Sequence, residues 1–320
     1  MNKSKIPAKT RPSRNAKSSK NPASLWTLRE TNGIQVLESC PLVRYAWLRH
    51  AFSTRPGGAS ELVKTVNGKR KPEQVFNLGY TDWDTRARVD ANRATLLAAI
   101  DAKAMRLVGL RQIHSDVIHN IDRAPETPLP GDAVITQTPG LLLSVQTADC
   151  VPILMFDPQR RVVAAVHAGW RGTLRRIAGK TAGQMQMLYG SQPKDLVAAV
   201  GPAIARCCFE VGPEVVKEFD SQFVAAEEWF EGPYEAMVSG EEGNPLPWLT
   251  MMPPGHLPPP PRAMLDLHAA NRAILLEAGL APQNISASDL CTATRSDLFF
   301  SYRRERETGR MMAVIGIAEE

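Results

Sequence analysis

The stretch Val162-Val163-Ala164-Ala165-Val166-His167-Ala168-Gly169-Trp170-Arg171-Gly172 joins an apolar run to a turn that contains two glycines. Five apolar residues in a row predict a strand that is buried on both faces. After the turn, apolar residues recur at three- and four-residue spacing and predict a helix over about 173–188. A strand that continues into a helix through a glycine turn places side chains and backbone N–H groups at a sheet edge, where ligands often bind. The stretch therefore predicts a strand, a turn and a helix with a candidate site at the turn.

Short apolar runs on both sides of this stretch predict further strands, and two amphipathic segments predict helices. The predicted strands are 105–110, 132–136, 141–145, 151–156, 196–200, 298–302 and 312–317, and the predicted helices are 85–100 and 267–278. The segment 229–264 is rich in proline, which predicts an irregular or polyproline-like insertion with neither strand nor helix. Together these patterns indicate a protein of mixed α and β structure.

The positive charge of the chain is concentrated at its start. The 320 residues carry a formal net charge of +5, yet residues 1–24 hold seven lysines and arginines and no acidic residue, so the remainder is nearly neutral. This segment has almost nothing to bury, which predicts a disordered basic tail before one domain at 25–320. No apolar run reaches the length of a membrane span, and the first residues carry no apolar segment typical of a secretory signal, so we expect neither. The five scattered cysteines fit a reducing compartment, so we expect a cytoplasmic protein.

Three residues with metal-binding side chains each follow or flank a predicted strand. His114, Cys150 and His167 are separated by 36 and 17 residues, the arrangement expected when sheet edges converge on one site. One thiolate and two imidazoles suit zinc, with a fourth position left open for water or substrate. The same residues also fit a Cys150 nucleophile activated by a histidine, with Asp149 or Gln112 assisting. A third interpretation is ordinary: a buried cysteine and two hydrogen-bonded turn histidines.

Several arginines lie in segments that suit an anion. Arg55 belongs to a Ser-Thr-Arg-Pro-Gly-Gly loop, and Arg171 lies near the start of the predicted helix, whose dipole favours negative charge. Arg303 and Arg304 are adjacent, and two guanidinium groups can bind phosphate bidentately. Any one of them can equally tie loops together through carboxylates and carbonyl groups.

Taken together, seven segments resemble the laccase-domain, or YfiH-type, family of purine nucleoside phosphorylases. The matching segments occur in the family's order over about 26–317: His50-Ala-Phe-Ser-Thr-Arg-Pro-Gly-Gly58, Gln112-Ile-His114, Gly131-Asp-Ala-Val134, Thr147-Ala-Asp-Cys150-Val-Pro152, His167-Ala-Gly-Trp-Arg-Gly172, Gly201-Pro-Ala-Ile204 and Phe299-Phe-Ser-Tyr-Arg-Arg304. The chain departs from the family at Phe209, Ser115 and the longer proline-rich insertion. None of these is a candidate metal ligand, so the departures bear on substrate preference.

The resemblance implies a fold, a metal and an activity. It implies a single compact α+β domain, a mixed-sheet α/β/β/α sandwich in which His114, Cys150 and His167 bind one zinc ion. The implied reactions are phosphorolysis of adenosine, inosine, guanosine and 5′-methylthioadenosine, and deamination of adenosine. Six histidines are too few for the copper centres of a multicopper oxidase, although a single copper ion is a plausible adventitious occupant. Purine nucleosides and phosphate are the implied partners, with no membrane and no specific nucleic acid.

The resemblance also suggests roles for individual residues. Ser53, Arg55, Gln112 and Arg171 are expected to contact substrate, with Arg55 positioning phosphate. Asp149 is expected either to shuttle a proton or to orient a ligand, and Cys150 is both ligand and essential to catalysis.

Two other functions remain as hypotheses. The first is a Cys150-dependent amide or ester hydrolase that edits cell-wall precursors. The second is a nucleotide-binding or tail-dependent nucleic-acid-binding protein, whose binding would weaken with salt and disappear without residues 1–24.

Overall fold

The computed structural model describes residues 25–66, 69–239 and 261–319. In these residues the strands are β1 Trp26–Thr31, β2 Ile34–Ser39, β3 Leu48–Ser53, β4 Pro56–Val66, β5 Lys69–Val75, β6 Arg106–Gly109, β7 Ile118–Asn120, β8 Ala133–Thr136, β9 Leu141–Thr147, β10 Val151–Asp157, β11 Val162–Ala168, β12 Val197–Val200, β13 Glu210–Val211, β14 Phe230–Glu231, β15 Ala263–Leu265, β16 Ile285–Ala287 and β17 Met311–Ile317. The α-helices are α1 Cys40–Val43, α2 Arg86–Ala99, α3 Trp170–Leu174, α4 Ile177–Tyr189, α5 Pro213–Gln222, α6 Tyr234–Ser239, α7 Leu267–Glu277 and α8 Tyr302–Glu305.

Two six-stranded sheets form the centre of the molecule. The first has the strand order β1-β2-β3-β17-β9-β6, and the second has the order β16-β12-β10-β11-β8-β7. Most neighbouring strands are antiparallel, but β6 and β9, β7 and β8, and β12 and β16 pair in parallel. Both sheets are therefore mixed. A three-stranded sheet, β13-β15-β14, and the hairpin of β4 and β5 complete the strand pairing of the described residues.

The hydrophobic core lies in three layers around these sheets. Between the sheets, Leu143 and Ile315 of the first share one apolar cluster with Leu154, Phe156 and Val163 of the second. The other face of the second sheet packs against α4, α5 and α7, and the other face of the first packs against α2. Burial of apolar side chains at all three levels supplies the main driving force for this arrangement. The predicted α/β/β/α sandwich is confirmed.

The strand predicted from the apolar run is β11, at the centre of the second sheet. All seven of its residues are buried, because β10 and β8 flank it and its faces meet the other sheet and the helices. The single helix predicted over 173–188 is wrong in detail, since α3 and α4 are separate helices. Arg176 between them has a φ of 57°, and this left-handed backbone interrupts the helical hydrogen-bond series.

The strand predicted over 298–302 is also wrong. Phe299 and Phe300 are buried, as a strand in the core would require, but the amides of Leu298 and Phe299 both donate to the carbonyl of Arg295 and form a turn. Ser301 then caps α8, because its side chain accepts a hydrogen bond from the amide of Arg304. The apolar pattern thus reports burial here, and tertiary packing decides the backbone conformation.

The proline-rich segment contains regular structure at both of its flanks. Helix α6 and strand β14 lie within 229–264, and β15 begins there, so the prediction that this segment has neither strand nor helix is wrong at its flanks. The centre of the insertion, 240–260, and the basic tail, 1–24, lie outside the described residues. No described helix combines the length and the apolar character that crossing a bilayer requires.

Candidate functional site

Three side chains from different elements meet at one edge of the second sheet. His167 lies near the end of β11, and Cys150 immediately precedes β10, its antiparallel neighbour. His114 comes from the loop between β6 and β7. One donor atom from each residue lies within 4.8 Å of the other two, and Cys150 Sγ is 3.9 Å from His114 Nε2. The structure therefore brings together the three ligands predicted from the sequence.

A buried aspartate fixes the orientation of His167. Nδ1 of His167 donates a hydrogen bond to Oδ1 of Asp132 over 2.8 Å, which leaves Nε2 to face Cys150. Asp132 is fully buried and also accepts hydrogen bonds from the backbone amides of His114 and Ser115 and from the Ser115 hydroxyl. Burial alone would raise the pKa of Asp132, but the hydrogen bonds from His167 and Ser115 outweigh it and hold that pKa well below its usual range. One carboxylate thus orients two of the three ligands.

Two residues next to or among the candidate ligands have a positive φ, which residues other than glycine rarely adopt. His114 has a φ of 56° and Asp149 has a φ of 101°. Gly169 fits so tightly that a Cβ atom there would lie 3.0 Å from Cys150 Sγ and 3.2 Å from His114 Cδ2. Unfavourable φ values and close approaches persist when the surrounding structure enforces them, and they concentrate at functional sites.

The ligands also change one another's ionisation. Burial alone would raise the pKa of the Cys150 thiol, but the neighbouring His167 and His114 outweigh it and lower the pKa to about 6. Burial would likewise lower the pKa of His167, but the Cys150 thiolate and Asp132 raise it to about 9. The interaction between Cys150 and His167 therefore favours the thiolate form of Cys150, which is the form of cysteine that binds metal ions and acts as a nucleophile.

The chemistry of the donor set fits zinc. One thiolate and two imidazoles are common zinc ligands, and three protein ligands leave a position for a substrate or water. The hydrogen bond from His167 to Asp132 matches the carboxylate that commonly supports a zinc-binding histidine. His114 is exposed, whereas His167 is buried, so the open side of the site faces solvent.

A cavity of about 690 Å³ opens beside the three ligands. Its size lies in the range of small-molecule sites. Apolar and aromatic side chains form much of its wall, and three arginines contribute positive charge. The lining residues are Leu110, Gln112, His114, Gln146, Thr147, Ala148, Asp149, Cys150, His167, Trp170, Arg171, Ile204, Phe209, Leu267, Tyr302, Arg303 and Arg310.

The three cavity arginines are held by aromatic rings and carbonyl groups. The guanidinium of Arg171 lies 4.2 Å from the centroid of Trp170, and that of Arg303 lies 5.1 Å from the centroid of Phe209. Arg310 donates to the backbone carbonyls of Thr308 and Gly309. Among the described residues, no carboxylate lies within ion-pair distance of any of the three arginines. Their charge is therefore available to an anion in the cavity.

Arg55 and Ser53, which the sequence suggested as substrate contacts, do not line this cavity. Arg55 is fully buried, and its guanidinium pairs with Glu305 at 2.6 Å and with Glu73 at 3.1 Å. Ser53 is also buried, and its hydroxyl accepts a hydrogen bond from the amide of Met312. Both side chains tie strands and loops together through these contacts. This placement does not support substrate contact by either residue.

Three other predicted residues lie nearer the site. Gln112 lines the cavity, but its side chain exchanges hydrogen bonds with the backbone amide and carbonyl of Gln146. Asp149 also lines the cavity, and its carboxylate accepts from the Thr292 hydroxyl and from the amide of Arg303, each over 2.6 Å. Arg304 donates to the carbonyl of Ala293 and, unlike Arg303, does not line the cavity. The adjacent arginines therefore do not form a single clamp.

Sequence reasoning missed two residues with clear positions in the site. Asp132 lies within the motif Gly131-Asp-Ala-Val, at the first residue of the strand predicted over 132–136, and that position was the available signal. Arg310 directly precedes β17 and has no comparable motif. Its place in the cavity follows from the position of β17 between β3 and β9.

The chain is similar in sequence and structure to several known proteins. The family model described as multi-copper polyphenol oxidoreductase laccase matches residues 49–318. A purine nucleoside phosphorylase of Deinococcus radiodurans is 39% identical over 270 residues, which is 84% of this chain and 88% of the relative. A protein named adenosine deaminase RL5, from an unknown prokaryotic organism, is 34% identical over 263 residues, or 79% of this chain and 88% of the relative.

A solved structure shows the same fold. The crystal structure of the Bacillus licheniformis hypothetical protein YfiH superposes with a TM-score of 0.74 at 29% identity. The superposition covers 91% of this chain and 98% of the Bacillus chain. Because the family model spans most of the chain and the sequence relatives exceed 30% identity over most of its length, the chain belongs to the laccase-domain, YfiH-type family.

Proposed function

We propose that this protein is a zinc-dependent purine nucleoside phosphorylase that also deaminates adenosine. The expected substrates of phosphorolysis are adenosine, inosine, guanosine and 5′-methylthioadenosine. The observation that carries the proposal is the cavity, where three arginines without carboxylate partners and several aromatic rings lie beside His114, Cys150 and His167. The names of the relatives, purine nucleoside phosphorylase and adenosine deaminase, support the same reactions.

Phosphorolysis needs an anion site next to the sugar. The C1′–N bond of the nucleoside breaks, a phosphate oxygen bonds to C1′, and the purine leaves with the bonding electrons and takes up a proton. Arg171, Arg303 and Arg310 are the groups that would hold phosphate, since guanidinium binds phosphate through charge-assisted hydrogen bonds. Holding phosphate at C1′ converts an encounter between two solutes into a reaction within one complex. We therefore assign the phosphate contacts to these three arginines and not to Arg55.

The purine needs a flat, largely apolar surface. Trp170 and Phe209 both line the cavity, and each packs against one of the arginines. An aromatic ring stacks on a purine whichever exocyclic group the purine carries. This surface therefore fits a protein that accepts adenine, guanine and hypoxanthine nucleosides.

The metal ligands lie at the end of the cavity where His114 is exposed. Zinc, when bound by His114, Cys150 and His167, supplies a Lewis acid that polarises an oxygen or nitrogen of the substrate. Asp132 keeps His167 in the orientation that directs Nε2 to the site. Deamination would use the same cavity at a different atom of the substrate: water adds at C6 of adenosine, the C6–N bond breaks, and ammonia and inosine are released.

We assign Asp149 a positioning role. Both of its carboxylate oxygens accept hydrogen bonds, and its backbone carbonyl accepts from the amide of Ile204 over 2.8 Å. Asp149 thereby joins the segment before β10 to the segments that carry Ile204, Thr292 and Arg303. These contacts tie the carboxylate to the fold and support a positioning role over that of a proton shuttle.

We also infer a cytoplasmic location. None of the five cysteines, all of which lie in the described residues, forms a disulfide. This supports a reducing compartment.

A cysteine hydrolase is the second candidate function, and one observation favours it. Cys150, His167 and Asp132 form a chain of thiol, imidazole and carboxylate like that of a catalytic triad. In this hypothesis Cys150 attacks an amide or ester carbonyl of a cell-wall precursor. Inactivation by iodoacetamide that added zinc does not prevent would favour the hydrolase.

The test measures the products of adenosine in protein of known zinc content, with and without phosphate. Adenine that forms only with phosphate supports phosphorolysis, and inosine that forms without phosphate supports deamination. If zinc-loaded protein forms neither product, the nucleoside assignment is wrong and the hydrolase is the remaining enzyme hypothesis.

A further inference from the structure

A second cluster of soft ligand atoms lies outside the candidate active site. It consists of Cys207, Cys208 and Cys291, whose Sγ atoms all lie within 4.8 Å of one another. The sulfurs of Cys207 and Cys208 are 3.4 Å apart. None of the three residues lines the cavity beside Cys150. We call this group the three-cysteine cluster.

The cluster is held by backbone contacts between two distant segments. Ala203 and Cys291 form an isolated parallel bridge, and the amide of Thr292 donates to the carbonyl of Ala203 over 3.0 Å. The turn that carries the adjacent cysteines is closed by the amide of Cys208, which donates to the carbonyl of Ala205 over 2.9 Å. The fold therefore fixes the distance between Cys291 and the other two cysteines, although 83 residues separate Cys208 from Cys291 in the sequence.

The surroundings of Cys291 favour its thiolate form. Cys291 is buried in a small apolar group with Ile204 and Ala293, and the amide of Ala205 donates to its sulfur over 3.4 Å. A backbone N–H that points at sulfur stabilises the thiolate, which is the metal-binding form. Cys208 is half-buried and Cys207 is exposed, so an ion can reach the cluster from solvent.

We propose that the three-cysteine cluster binds one soft metal ion, of the chemical class of Cu(I), through three thiolates. Sulfur atoms that each lie about 2.3 Å from one ion are about 4 Å apart, close to the spacing in the cluster. Thiolates select Cu(I) and other soft ions over calcium, magnesium and manganese, which prefer oxygen. Three sulfur donors without a nitrogen donor distinguish the cluster from the site of Cys150, which has two imidazoles.

The three-cysteine cluster takes no part in the proposed nucleoside chemistry, but hydrogen bonds connect its segments to Asp149. Thr292, next to Cys291, donates its hydroxyl hydrogen bond to Asp149. Ile204, in the same loop as Cys207, donates its amide to the Asp149 carbonyl. An ion in the cluster would join the two segments that position Asp149, although none of the three cysteines lines the substrate cavity.

The test uses the full-length chain with Cys150→Ser, so that the first site no longer offers a thiolate. The reduced, metal-free protein is titrated without oxygen with Cu(I) held by a competing chelator. X-ray absorption at the copper edge then counts the sulfur neighbours. We expect one Cu(I) per chain with three sulfur neighbours.

Further substitutions identify the ligands. Adding Cys208→Ser should weaken Cu(I) binding at least tenfold and leave two sulfur neighbours, and Cys207→Ser should act in the same way. Adding Cys40→Ser is the matched control, since Cys40 is the one cysteine outside both clusters, and it should change neither value. Because Cys291 is buried, the test does not depend on replacing it, and circular dichroism melting checks that each variant folds.

Three results would overturn the proposal. The first is that the reduced chain loses all Cu(I) to the chelator. The second is that bound copper has at most one sulfur neighbour, or that Cys208→Ser has no more effect than Cys40→Ser. The third is that the cysteines form a Cys207–Cys208 disulfide on purification and, once reduced, retain no metal.

Discussion

Nδ1 of His167 lies 2.8 Å from Oδ1 of Asp132, and this one contact determines which nitrogen of His167 faces Cys150. The backbone makes the contact possible, because the amide of His167 donates to the carbonyl of Asp132 over 2.7 Å. The same carboxylate accepts from the amide of His114 over 3.0 Å. Asp132 therefore holds two of the three candidate ligands at once.

Replacing Asp132 should weaken metal binding. In Asp132→Asn the amide group can still accept from Ser115 or His167, but it no longer offers a negative charge to the imidazole. Loss of such a supporting carboxylate typically costs about 10- to 100-fold in metal affinity. Competition with a fluorescent zinc chelator measures the change.

A buried aspartate remote from the site provides the control for that experiment. Asp157 lies at the far end of β10 and accepts from the amides of Gln159 and Arg160. Asp157→Asn should keep the parent's zinc affinity. Equal zinc affinities in Asp132→Asn and the parent would show that Asp132 does not support the ligands.

Replacing Arg171 should impair phosphate use specifically. Its guanidinium lines the cavity, and its charge is not neutralised by a carboxylate in the described part of the chain. A charge-assisted hydrogen bond contributes about 1.5–3 kcal/mol, so Arg171→Gln should raise the KM for phosphate roughly tenfold or more. Deamination of adenosine, which uses no phosphate, should change much less. Initial rates over a phosphate series measure the effect.

Arg55 supplies a matched arginine for comparison. Arg55→Gln removes the buried guanidinium that pairs with Glu305 and Glu73, which should lower the free energy of unfolding by about 3 kcal/mol in urea denaturation. The folded variant should keep the parent's KM for phosphate. A large rise in that KM for Arg55→Gln, with none for Arg171→Gln, would return the phosphate contact to Arg55.

The role of Asp149 is tested by its pH profile together with its hydrogen-bond partner. If Asp149 positions Cys150 and Arg303, then Asp149→Asn and Thr292→Val should both lower kcat while the pH dependence of kcat keeps its shape. Thr292→Val removes one donor and leaves the carboxylate. Loss of one limb of the profile in Asp149→Asn, with a normal profile and rate in Thr292→Val, would instead identify Asp149 as the proton shuttle.

His50 should make the fold sensitive to acid. It is buried in β3, where Nε2 accepts from the amide of Ser39, and burial lowers its pKa from 6.5 to about 4. The unfolded chain therefore takes up the proton first, and the stability contributed by neutral His50 is present above pH 6.5 and is lost as the pH falls towards 4. The full loss is about 3 kcal/mol, at 1.36 kcal/mol for each pH unit of the shift.

Urea denaturation between pH 7 and pH 4 measures this loss. His50→Gln keeps a hydrogen-bond acceptor but has no group that titrates in this range. Other groups respond to acid equally in the two proteins, so the difference between parent and variant isolates His50. If the free energy of unfolding changed with pH in the same way in both proteins, the lowered pKa of His50 would be contradicted.

The sequence placed His167 and Cys150 at one candidate site because each lies where a buried strand meets a turn. The apolar run before His167 is short and rich in valine, which favours a strand over a helix, and all seven residues of β11 are buried. Cys150 directly precedes a second such strand. Antiparallel pairing of β10 and β11 then brings the two residues to the same edge.

The sequence did not show which arginines line the cavity and which, like Arg55, are buried in ion pairs. The two carboxylates that pair with Arg55 lie 18 and 250 residues away in the chain, and no local pattern indicates them. Asp132 was missed for the same reason, because its contact with His167 depends on the pairing of β8 with β11. Local patterns report burial and chain direction, whereas the partner of a charged side chain depends on the complete fold.

The most direct test of the central claim measures ribose 1-phosphate formed from adenosine and phosphate as zinc is added to metal-free protein. In the parent, the rate should rise with zinc bound at the site of His114, Cys150 and His167, and it should reach its maximum when that site is filled. Cys150→Ala should bind no zinc there and should form no ribose 1-phosphate. Full activity in Cys150→Ala without zinc, or no ribose 1-phosphate from the zinc-loaded parent, would contradict the account.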